Sequence, residues 1–168
     1  MARAETSGAV HSARDGRAVA ELTESLRCLL ADVFALYLKA KNFHWHVRGS
    51  HFRDYHLLFD EQAEQVLAMV DAIAERTRKL GGTTLHSIGD VASHQRLKDS
   101  DGESVSADAM LIELRVDNEQ LTRFLHHTHE LCIQYKDIAT AALIDSWIDE
   151  TEGRTWFLAQ TTDDLIPA

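Results

Sequence analysis

Four histidines, His44, His46, His51 and His56, fall within thirteen residues, and Asp60, Glu61, Glu64, Asp71 and Glu75 follow them. Imidazole combined with carboxylate is a ligand set for first-row transition metals, and Asp and Glu are hard donors that also suit ferric ions. The spacing says more than the count. His56 and Asp60 are four residues apart, as are Asp71 and Glu75, so each pair shares a helix face. Asp60 and Asp71 are eleven residues apart, about three turns, so all four side chains project in nearly the same direction. At about 1.5 Å per residue, Asp60 and Asp71 are nonetheless roughly 16 Å apart along the axis. One metal cannot bind both within a chain.

Two arrangements remain open. The residues form two separate half-sites, or an antiparallel symmetry mate sets the His56/Asp60 end of one chain against the Asp71/Glu75 end of another. The second gives two equivalent sites per two-fold dimer, as an isologous interface requires. His44, at the end of a preceding helix, is placed to complete the His56/Asp60 half. An intrachain di-iron bundle would use paired Glu-x-x-His motifs, and the chain has none. That leaves the inter-chain arrangement as the economical one. Charged residues four apart on a helix are most often a solvated face. The joint pattern is less ordinary, because the stripe is expected to carry few Lys or Arg partners.

The elements that position these residues read as helices. Leu22, Leu26, Leu29, Leu30, Val33, Leu36 and Tyr37 recur at three- and four-residue steps, which marks one helix face. This helix runs on through His44 and is expected to stop near Gly49, a suitable C-terminal glycine. A second helix is predicted from Phe52 or Asp54 to Gly81-Gly82, and a third from Ser104 or Ser106, either a good N-cap, to about Gln134. A fourth runs from Asp137 to about Thr162. Residues 83–105 are irregular, with a short helix expected over Asp90–Leu97. The fold class predicted is all-α, a ferritin-like four-helix bundle with a long crossover carrying a short helix between the second and third long helices. Residues 1–16 lack apolar periodicity and read as a flexible tail, leaving one domain over 17–168.

Composition bounds the partners. Asp plus Glu number 27 against 17 Lys plus Arg, for a formal charge of -10 across 168 residues. Such a surface is a poor non-specific partner for nucleic acid and suits an interior or channel that attracts cations. The single proline, Pro167, is almost terminal, so nothing interrupts long helices. Cys28 and Cys132 read as small buried side chains rather than a disulfide. No apolar run reaches membrane-spanning length, and the N-terminus lacks a signal-peptide core, so a cytoplasmic location, with nucleoid association as its variant, is expected.

The stretch from Lys41 to Asp60 follows the pattern H-W-x-V-x-G-x-x-F-x-x-x-H-x-x-x-D, and D-x-x-x-E-R begins eleven residues later at Asp71. These residues resemble the Dps family (DNA-binding protein from starved cells, the mini-ferritins). The likeness runs from about Val19 to Thr162, although only this third is diagnostic. It implies a hollow homododecamer with a ferroxidase centre at each two-fold interface. His44, His56 and Asp60 of one chain would join Asp71 and Glu75 of its neighbour, as metal ligands and catalytic groups together. It also implies that ferrous iron is oxidised there by hydrogen peroxide in preference to oxygen and stored as ferric mineral, which protects DNA. Zinc and manganese are the competitors for such donors. Trp45 and Trp156 would lie near the centre, with plain aromatic packing as the alternative. Asp145, Asp149 and Glu152 on the last helix are candidates to line a cation pore.

The sequence departs from the family at His46, where Asn is usual. His46 points away from His44 on a helix and is a candidate auxiliary ligand. His51 reads as a loop or capping residue. His126, His127, His129 and Glu130 read mainly as exposed side chains. The first 16 residues contain no lysine, and their charges cancel. Electrostatic affinity scales with the phosphates neutralised, so DNA binding near neutral pH is expected to be weak or absent. The ten histidines could alter this in acid.

Overall fold

The computed structural model describes residues 16–162. They form four long helices and one short one: α1 (Gly16–His46), α2 (Phe52–Lys79), α3 (Ile88–His94), α4 (Ala107–Gln134) and α5 (Ile138–Thr162). The long helices begin and end within a few residues of where the periodicity predicts. Gly16, the last residue assigned to the tail, is the first of α1, and the remainder of the tail lies outside the described residues. The helix of the crossover starts earlier than expected, at Ile88. There Ser87 accepts a hydrogen bond from the Asp90 amide at 3.1 Å, and this N-cap fixes the start. Ser106 caps α4 in the same way, accepting from Ala109 N at 3.2 Å.

α1 packs along α2, α4 along α5, and α1 crosses to α4, which joins the two hairpins into one bundle; α3 lies against α1. Phe43, Phe59, Leu22, Leu26, Leu29, Met69, Ile73, Leu111 and Leu158 are buried at the centre. Gly81 takes φ +92, a left-handed conformation that ends α2. A Cβ at Gly82 would stand 2.4 Å from a methyl group of Thr23, so only glycine lets α1 approach so closely.

Ion pairs stitch the bundle where apolar contact is interrupted. Lys39 Nζ meets Asp117 Oδ2 at 2.6 Å, both nearly buried. Asp32, fully buried, accepts from the Arg96 side chain at 2.6 and 2.9 Å and from its backbone amide. The same guanidinium lies 3.7 Å from the centre of the Phe124 ring. Arg76 ties α2 to the start of α5 through Thr140 Oγ1 and Asp137 Oδ1, both at 2.7 Å.

Candidate metal centre

The last turn of α1 and the second turn of α2 bring His44 and His56 face to face. Their rings stack at 3.8 Å between centroids, and Phe52 also stacks with His56, at 5.0 Å. Each ring bonds to the other's backbone: His44 Nδ1 to His56 O, and His56 Nδ1 to His44 O, both at 2.8 Å. A carbonyl oxygen can only accept, so each Nδ1 carries the hydrogen. In its neutral form a ring bonded this way carries its lone pair on Nε2, the arrangement in which a second hydrogen bond orients a histidine for metal ligation.

Asp60 stands one helical turn beyond His56. Its Oδ1 is 3.9 Å from His44 Nδ1 and 2.5 Å from Lys41 Nζ. The hydrogen bond from Lys41 holds the Asp60 carboxyl below the usual carboxylate range; partial burial opposes this, and the two histidines reinforce it. Beneath the three polar groups lie Phe43 and Phe59, their rings 6.1 Å apart and both fully buried. They are the immediate chain neighbours of His44 and Asp60, so the core fixes the backbone that carries the donors.

At the other end of α2, Asp71 and Glu75 are exposed. Glu75 accepts from Lys79 Nζ at 2.7 Å, with more than half of each side chain in solvent. That hydrogen bond, with the lysine charge, lowers the Glu75 carboxyl from its usual value. α2 is continuous from Phe52 to Lys79, so the axial separation of roughly 16 Å between Asp60 and Asp71 stands. Among the described residues, no group of three or more His, Cys, Asp or Glu converges on a single point in one chain. The structure therefore stacks His44 on His56 and brings Asp60 to 3.9 Å from His44 without closing the three into one metal-holding group, and it leaves Asp71 and Glu75 apart.

Two lysines count against the expectation that the stripe carries few basic partners. Lys79 is legible in retrospect as the i+4 partner of Glu75. Lys41 reaches Asp60 across the α1–α2 pair, and no spacing rule within one helix could show that. Both ammonium groups stand where a cation bound by these carboxylates would.

The remaining candidates are scattered. His46 bonds back to Asn42 O of its own helix at 2.8 Å and is exposed. His51 occupies the N-cap position of α2 without making a side-chain cap. Trp45, beside His44, is 59% exposed. It shares a groove of about 700 Å³ with Leu38, Ile88 and Val91, between α1 and α3. Trp156 is exposed on α5, edge-on to Phe157 at 5.0 Å. Asp145, Asp149 and Glu152 are all exposed on α5. Asp145 pairs with His129 at 3.1 Å, so His129 is not a free surface histidine, whereas His126 and His127 are exposed. Both cysteines are free. Cys132 is buried and its thiol is pushed up to about 12 by desolvation, which removes it from thiolate chemistry, while Cys28 is half-buried. Among the described residues, no helix is long and apolar enough to cross a membrane.

Residues 23–166 match the Ferritin-like domain family. A low temperature-induced protein of Nostoc sp. is 37% identical over 130 residues, covering 77% of this chain and 73% of that one. The DNA protection during starvation protein of Halobacterium salinarum is 30% identical over 134 residues, covering 79% and 72%. Among solved structures, Dps from Thermosynechococcus elongatus superposes with a TM-score of 0.85 at 28% identity, covering 90% of this chain and 98% of that chain. An archaeal Dps homologue from Halobacterium salinarum gives 0.86 at 26% identity over 99% and 95%.

Proposed function

The chain belongs to the Dps family of ferritin-like proteins, and from that premise we propose that it oxidises ferrous iron at centres shared between two chains and stores the ferric product. The observation that carries this reading is the paired Nδ1–carbonyl bonding of His44 and His56, which keeps each Nε2 out of that bonding, with an Asp60 carboxylate oxygen 3.9 Å from His44 Nδ1. Three donors make half a site for an ion that takes more ligands, and Asp71 and Glu75 of an antiparallel neighbour supply the complement. An apolar groove holding Trp45, Leu38 and Ile88 opens along the last turns of α1. An exposed apolar surface of that kind suits contact with a second chain.

In this reading two ferrous ions each give one electron to one hydrogen peroxide, which leaves as two hydroxide ions. Consuming ferrous iron and peroxide together prevents hydroxyl-radical formation near DNA. Oxygen is the slower oxidant, zinc and manganese compete for the same donors, and the shell is a dodecamer. Lys41 and Lys79 hold the carboxylates charged until iron displaces them. The acidic face of α5 that bears Asp145, Asp149 and Glu152 would guide cations, and Trp45 and Trp156 would lie near the centre. With a formal charge of -10, the particle binds DNA weakly at neutral pH, and its location is the cytoplasm. A gel-shift titration at low salt and pH 7 checks the DNA statement: a clear shift there would reverse it in favour of a nucleoid-compacting role.

Complementation tests the shared centre. One variant carries His56→Ala and Asp60→Ala, the other Asp71→Ala and Glu75→Ala, and each alone forms only defective sites. When the two are unfolded together and reassembled, random pairing makes half of the dimers mixed, and each mixed dimer has one intact site of two. About a quarter of wild-type peroxide-driven iron oxidation should return. A mixture no more active than its components would reject the inter-chain centre.

A further inference from the structure

α2 runs unbroken from Phe52 to Lys79. Along the side that carries the metal donors stand His56, Asp60, Glu64, Leu67, Asp71 and Glu75, at steps of four, four, three, four and four residues. Such steps keep all six within roughly 100° of the helix circumference. Val66, Met69 and Ile73, on the side turned away, are buried in the core. Four of the six belong to the two half-sites. The inner two, Glu64 and Leu67, belong to neither; Glu64 is exposed and Leu67 is 43% exposed. The row of steps is its own reverse. Its centre falls between Gln65 and Val66, with Glu64 and Leu67 flanking it, Asp60 and Asp71 next, and His56 and Glu75 outermost.

Two antiparallel copies of one helix need that arrangement, because an isologous contact pairs i with j and j with i. Setting Asp60 against Asp71 of the partner subunit fixes the remainder through the constant rise of the helix. His56 then meets the partner's Glu75, and Glu64 meets the partner's Leu67. The two Leu67 side chains stand about 4.5 Å apart along the axis. Slipping the pair by one turn would press Asp60 against the partner's Leu67, which desolvates a carboxylate with nothing to bond it, and would set Glu75 against the partner's Phe52. A lone exposed leucine is ordinary. One apolar residue beside the centre of a stripe of donors, however, marks the single register that keeps the donors together. We propose that α2 packs antiparallel on α2 of a second copy of this chain, with the two-fold axis passing at the level of Gln65 and Val66. Leu67 of each chain packs there against Glu64 and Leu67 of the partner subunit and sets the register. The inference rests on the shared centre proposed above and adds the contact that aligns it.

Native mass spectrometry of the full-length, iron-free protein over a range of concentrations tests this. Leu67→Glu sets a carboxylate beside the partner's Glu64, twice in each dimer. It should raise the concentration needed for assembly by about 100-fold or more, because facing like charges oppose association. Leu67→Lys meets the same Glu64 with the opposite charge and should assemble within about tenfold of wild type. In a Glu64→Lys background the order should reverse, with Leu67→Glu assembling and Leu67→Lys falling apart. A reversal cannot come from one variant failing to fold, since each substitution at position 67 assembles in one background. Both charges acting alike in either background, or an order unchanged by Glu64→Lys, would overturn the proposal. The readout involves no metal. An unreversed order beside successful complementation of the two defective variants would therefore reject this register and leave the shared centre standing.

Discussion

The two ends of α2 carry the same kind of side chain in opposite states. Around Asp60 the donors are half-buried, backed by Phe43 and Phe59, and oriented by hydrogen bonds from two helices. Around Asp71 and Glu75 the carboxylates stand in solvent, and Glu75 pairs with Lys79 on the same helix. A chain builds an ordered half-site where two of its own helices meet. It leaves the other pair of carboxylates in solvent. The contrast ties the proposed function to assembly, because in that proposal another chain covers the exposed carboxylates.

Removing one donor from each end should give the largest effect and break the contrast. The double variant Asp60→Ala and Glu75→Ala should lower peroxide-driven iron oxidation by about 100-fold or more, since loss of even the groups that support a metal ligand costs 10–100-fold. Its thermal unfolding should scarcely move, because both carboxylates lie at or near the surface. A measured rate within a few-fold of wild type would mean that neither end binds the reacting iron. An equally large fall in melting temperature would mean that the residues are structural.

Core substitutions beneath the two ends should separate them by stability. Phe59→Ala empties a fully buried position against Phe43 and should cost about 3–5 kcal/mol in urea unfolding. It should also disorder His44 and Asp60, so that activity falls even at temperatures where the particle survives. Ile73→Val, beneath Asp71 and Glu75 and also fully buried, deletes one methylene and should cost about 0.5–1.5 kcal/mol. Activity should be spared there, since in the proposed centre those carboxylates are placed by the neighbouring chain. If Ile73→Val lowered activity as much as Phe59→Ala, the loose end would be pre-organised after all.

The fold was legible because every long helix carries its own period and its own stop. Leucines at three- and four-residue steps, Ser106 as a cap and the glycines after Lys79 all encode local geometry. Within the candidate site, His56 with Asp60 and Asp71 with Glu75 were legible for the same reason, each pair sharing a helix face. The packing of His44 on His56 was an expectation that the α1–α2 turn fulfils. What could not be read were contacts between helices. Lys41 lies nineteen positions from Asp60, and the Arg96–Asp32 pair spans sixty-four. Nothing in their local pattern records a partner that packing brings near. His129 with Asp145 is the same kind of omission.

The lysines give the smallest effects and the sharpest form of the comparison. Lys41→Met removes an ammonium from a carboxylate that is only about a third exposed, and no other recorded partner of Asp60 approaches as closely. Because Lys41 depresses the folded-state Asp60 value, its contribution is present above the ordinary carboxylate value and is lost as pH falls through the depressed one. The variant should raise the pH at which Asp60 takes up a proton. Near neutrality, where Asp60 stays ionised in both proteins, the variant should bind ferrous iron or zinc several-fold more tightly, because no cation has to be displaced. Lys79→Met removes a partner that is 61% exposed from a carboxylate that is 57% exposed. Pairs of that kind contribute about 0–1 kcal/mol and are screened by salt, so calorimetric titration with zinc should detect almost no change. Equal gains in the two variants would show that the exposed end is as tightly held as the enclosed one, and the asymmetry along α2 would then have no bearing on metal binding.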